Sequence, residues 1–94
     1  MTTVGVVQVS SQAYHHWLIP WAESVAALNR RPDVVVIASP GRPPALAVPF
    51  VWVEVAEPFT WGGWLNTAVA SCPTEWVAWI GADDTFRPHA LDMV

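Results

Sequence analysis

The sequence predicts an α/β fold: a four-stranded, mainly parallel sheet with flanking helices. Three observations carry that expectation. Four short runs rich in β-branched residues recur along the chain, segments of helical periodicity separate the first from the second and the third from the fourth, and polar or glycine-containing clusters follow most of the runs.

Thr3 to Ser10 (TVGVVQVS) is apolar almost throughout, the pattern of a strand buried on both faces. Ser10, Ser11 and Gln12 end it. From His16 to Arg30, Trp17, Leu18, Trp21, Val25 and Leu28 mark one face of an amphipathic helix, with Pro20 tolerable in its first turn. Arg30, Arg31 and Pro32 close it, and Asp33 to Ala38 is a second buried strand. The prolines of Pro40-Gly41-Arg42-Pro43-Pro44 forbid regular structure there. Phe50 to Val55 is a third strand, with Trp52 and Glu54 marking it as near an edge. Pro58 to Gly63 turns into a helix carrying Trp64, Leu65, Ala68, Val69 and Cys72, which Pro73 stops. Glu75 to Ile80 is the fourth strand, Gly81 to Asp84 its acidic terminus, and Pro88 to Val94 the start of a last helix. Trp79, flanked by apolar residues on that fourth strand, is expected in the core, where truncation to alanine costs about 3 to 5 kcal/mol.

Ninety-four residues make one small domain, which buries only about 60 to 65% of its unfolded surface. With 53% hydrophobic residues, seven tryptophans and 13% charged residues, the chain has ample apolar surface to fold around. The net charge is −4, lysine is absent, and the four arginines (Arg30, Arg31, Arg42, Arg87) are scattered, which argues against a nucleic-acid partner. No apolar run reaches the roughly 18 to 20 residues of a membrane span, and the N-terminus lacks a secretory signal pattern. A soluble, cytoplasmic protein, or one incorporated into an assembly such as a virion, is the expectation. The single cysteine, Cys72, has no thiol partner and reads as a buried apolar filler.

In open α/β sheets ligands bind beyond the carboxyl ends of the strands, where the strand order reverses. Ser10-Ser11-Gln12, Ser39-Pro40-Gly41 and Gly81-Ala82-Asp83-Asp84 occupy such ends. Adjacent carboxylates repel unless solvent, a donor or a divalent cation intervenes. They also cap helix starts, which is their commoner use on spacing alone. Glu23, Glu54 and Glu57 read as solvating charges, and His15 and His16 as polar residues ahead of a helix. Trp61-Gly62-Gly63-Trp64 could be a sugar platform with a glycine turn, though tight turning and interior packing are the more ordinary roles.

The stretch Trp64 to Leu91, WLNTAVASCPTEWVAWIGADDTFRPHAL, resembles the run of family 2, GT-A glycosyltransferases in which an Asn-bearing helix leads into a buried strand, a D-x-D-D terminus and a Pro-x-x-Leu helix start. Asn66, Asp83, Asp84, Pro88 and Leu91 fall in register. Thr3 to Val9 matches the family's first strand, and Trp17-Leu18 with Glu23-Ser24-Val25 its first helix, so the likeness covers nearly the whole chain. Gly81 stands where the family has the first Asp of D-x-D, Ala38-Ser39 where it has an Asp pair, and Gln8 where it commonly has proline.

The resemblance implies the N-terminal, donor-nucleotide half of a GT-A, Rossmann-like fold over residues 1–94, with strand order 3-2-1-4. It implies a Mn²⁺ or Mg²⁺ ion held by Asp83, and a nucleotide-sugar contacted by Ser10, Ser39, Asn66 and Asp84. The family's acceptor half would begin after Val94. No catalytic residue is assigned, because no other carboxylate stands as a general base. Two functions follow as expectations: a glycosyltransferase-like protein with little or no activity alone, or a non-catalytic assembly subunit that reuses the fold. In either case self-association, or another chain covering Glu75 to Ile80, is expected.

Overall fold

The computed structural model describes residues 2–94. Four strands, β1 (Val4–Val9), β2 (Val34–Ser39), β3 (Val51–Glu54) and β4 (Trp76–Ala78), form one sheet. Its order is β3-β2-β1-β4 and every pairing is parallel. Two helices, α1 (Leu18–Ala26) and α2 (Trp61–Ala70), join β1 to β2 and β3 to β4, and a 3₁₀ segment (Gln12–Trp17) precedes α1. The fold is α/β.

Alternation along the two central strands sorts their side chains between the helices. Val4, Val6, Val35 and Ile37 pack with Leu18, Trp21, Ala22 and Val25 of α1. Val7, Val9, Val36 and Ala38 pack with Trp64 and Ala68 of α2 and with buried Cys72 on the other face. Both faces are therefore covered, which is why these strands read as continuous apolar runs. The link from β2 to β3 is irregular, as its prolines require, and it lays Leu46, Val48 and Phe50 on the α1 face.

β1, β2 and β3 advance in one direction while α2 returns on the opposite face to deliver β4 beside β1. The order thus reverses between β1 and β4.

Three expectations are corrected. The 16–30 helix is shorter and begins as 3₁₀, leaving Trp17 exposed rather than on the buried face. The helix from Pro88 is absent: residues 88–93 form successive turns closed by Ala90 N–H to Arg87 O and Asp92 N–H to His89 O. In an α-helix the Pro88 carbonyl would accept from Asp92, but here it accepts from Asn29 N–H at 2.7 Å, and this anchors the segment while Leu91 packs into the α1-side core. The fourth strand pairs only over Trp76–Ala78, so Trp79 lies past its end and is 40% exposed rather than core.

Candidate functional site

A cleft of about 380 Å³ opens at the β1/β4 reversal, within the size range of small-molecule sites. One wall is the carboxyl end of β1, Val9 with Ser10 and Ser11; the opposite wall is Gly81, Ala82 and Asp83, just beyond β4. Tyr14 and Trp17 from the 3₁₀ segment and Phe59 and Trp61 at the start of α2 supply its aromatic lining. Local physics explains their placement. The chain must cross the sheet's end to enter each helix, so residues between strand and helix are carried over the crevice.

Aromatic order continues behind the cleft. Phe59 meets both Trp61 and Trp64 edge-to-face at 4.8 Å between ring centroids, and Trp61 meets Trp79 at 5.7 Å. Trp64 is buried with its Nε1–H donating to Ala56 O at 3.1 Å, whereas Trp61 stays exposed at the rim. Of the four residues Trp61 to Trp64, then, one indole fills the core and the other faces the cleft. Gly62 and Gly63 lie inside the first turn of α2, not ahead of it.

The acidic terminus is a tight turn closed by Asp84 N–H to Gly81 O at 3.0 Å. Both carboxylates fold over the glycine: a Cβ at position 81 would lie 3.1 Å from Asp83 Oδ1 and 3.3 Å from Asp84 Oδ2. Neither acid caps a helix, since none follows. Among the described residues no three His, Cys, Asp or Glu side chains gather as a cation cage. Asp83 lines the cleft and Asp84 lies beside it against Gly81; magnesium is usually held by one or two carboxylates together with substrate phosphates. Among the described residues no basic side chain lines the cleft, so a bound diphosphate would meet no cationic side chain of theirs there.

The remaining candidates divide. Ser10 is buried at the cleft wall, its hydroxyl donating to Ser11 O at 3.0 Å. Ser39 is buried at the end of β2 and already engaged, donating to Gly41 O at 2.6 Å and accepting from Trp52 Nε1–H at 3.1 Å. Asn66 sits exposed on α2 and does not line the cleft, and Asp84 lies beside it through Gly81. The cleft thus gathers Ser10 and Asp83 and leaves out Ser39 and Asn66. Tyr14 and Phe59 are lining residues that the sequence analysis did not single out, and Trp17 was expected on a buried helix face instead; their signal was aromatic residues placed between a strand end and a helix start. Next to Tyr14, partial burial of His15 lowers its pKa and favours the neutral ring.

No known protein family, curated protein or solved structure matches the chain. Among the described residues no helix is long and apolar enough to cross a membrane.

Proposed function

We propose that the chain is a glycosyltransferase-like donor-binding module that holds the nucleoside or sugar of a nucleotide-sugar without completing transfer on its own. One observation carries this reading: the cleft at the β1/β4 reversal combines aromatic walls with hydroxyls and a single facing carboxylate, Asp83. Aromatic faces cover the apolar faces of a ring, while Asp83 and the serines suit its hydroxyl groups. When bound, a divalent ion would neutralise diphosphate charge; Asp83, with Asp84 beside it, would hold that ion.

Calorimetry with UDP and manganese tests this. Wild type is expected to bind UDP with Mn²⁺ present and to lose at least about tenfold in affinity without it, since the cleft has no cation of its own. Asp83→Asn should abolish binding while changing stability by less than about 0.5 kcal/mol, the usual scale for an exposed site. Absence of wild-type binding at millimolar UDP and Mn²⁺ would defeat the proposal.

A second reading, an assembly subunit, is favoured by β4. Its outer edge has no partner strand among the described residues, and Trp76, at 58% exposure, stands with Val77 and Trp79 as uncovered apolar surface. An uncharged edge strand of this kind is a template for pairing. If it mediates self-association, light scattering at tens of micromolar will give a mass above 10.3 kDa. Trp79→Ala should return the protein to monomer at a folding cost under about 1 kcal/mol, because this indole is not in the core. A wild-type monomer would remove this reading.

A further inference from the structure

We infer that Gln8 is a positioning residue for the acidic turn that carries Asp83. The β1–β4 ladder ends at the pair Val6 and Ala78; one step further, the backbone of the fourth segment leaves β1. There the side chain of Gln8 takes over. Fully buried, it donates from Nε2 to Ile80 O at 3.0 Å, while its Oε1 accepts from Val9 N–H at 2.9 Å. One amide thus satisfies a β1 donor on the strand bordering β4 and grips the carbonyl of the residue just before Gly81. Gly81 is in turn the acceptor of the bond that closes the turn. A neutral side chain with both a donor and an acceptor is needed, which glutamine supplies and an apolar residue or a carboxylate does not.

The consequence is local. Removing the Nε2 donor frees the Ile80 carbonyl and lets the turn drift from the end of β1, whereas the sheet interior keeps its ladder bonds. Gln8→Leu tests this directly, since it removes the amide donor to Ile80 O while placing no charge in the fully buried site. Amide hydrogen exchange is expected to speed up at Asp84 by about tenfold or more, with changes under about threefold at Val36 and Ile37 in β2.

In wild type, an NMR coupling across the hydrogen bond from Gln8 Nε2 to the Ile80 carbonyl should be detectable, a measurement that needs no variant to fold. Its absence, or exchange at Asp84 that changes only in step with β2, would overturn the inference.

A further arm rests on the donor-binding reading: UDP affinity in Mn²⁺ should fall about tenfold in Gln8→Leu, the loss of one such hydrogen bond. If wild type binds no UDP, that reading fails, and the exchange and coupling measurements still decide the role of Gln8.

Discussion

Gly5→Val is expected to leave no folded protein, and Gly5→Ala to lower the urea unfolding free energy by about 3 kcal/mol, a large part of the 5 to 15 kcal/mol typical of a domain. Gly5 lies in central β1, paired with Val34 on one side and Val77 on the other, so the backbone cannot step aside. Above it the chain leaving α2 comes down onto the sheet. A Cβ at this position would overlap Cys72 Sγ and stand 2.8 Å from Thr74 Oγ1 and 3.2 Å from Val34 Cγ1. Cys72 and Thr74 are themselves in contact at 3.2 Å, which limits how far either can turn away. Conformational freedom is not the reason for glycine here, since no described glycine has positive φ; the reason is space. The double variant Gly5→Ala with Cys72→Ala should be less destabilised than the sum of the singles by about 1 kcal/mol or more. Simple additivity would show that the strand, not the sulfur, absorbs the added methyl.

Trp21→Ala should cost about 3 to 5 kcal/mol, measured as a shift in denaturant midpoint at unchanged slope. This indole is fully buried on α1 in the cluster that includes Val4, Val6 and Ile37. Its Nε1–H has no hydrogen-bond partner among the described residues. That makes Trp21→Phe informative. Phenylalanine loses volume but also removes an unsatisfied donor, whose burial costs about 1 to 3 kcal/mol, so the net loss should stay under about 1.5 kcal/mol. A loss close to that of alanine would mean that the N–H has a bridging water or that the ring cannot fill the site.

The architecture was legible to the extent that burial writes itself into composition. β1 and β2 are covered on both faces and read as unbroken apolar runs; β3, at the edge, reads as alternating. The strand order 3-2-1-4 came from the resemblance, and the sheet has it. What periodicity could not show is where backbone bonds are diverted. The Pro88 carbonyl is taken by Asn29 and the Ile80 carbonyl by Gln8, two partners remote in sequence, and each diversion ends an element that the local pattern would have continued. Trp79 misled for the same reason: its apolar neighbours describe a strand that has already left the ladder. At the cleft, Asp83 and Ser10 were legible as polar residues at strand ends. Ser39 has the same signature but spends its hydroxyl on Gly41, and Asn66 is exposed on α2 outside the cleft.

The position of β1 in the sheet has a consequence for synthesis on the ribosome. Within this sheet β1 is an interior strand, and its two edges are filled at very different times. β2 follows after one short helix, but β4 arrives only with Trp76 to Ala78, after β2, β3 and α2 have been made. Until then one edge of a valine-rich strand stands open in the nascent polypeptide, the kind of exposure that holding factors recognise. The cleft inherits the same timing. Its walls come from the 9–17, 59–61 and 81–83 regions, so the cleft is complete only when the last of these has left the exit tunnel.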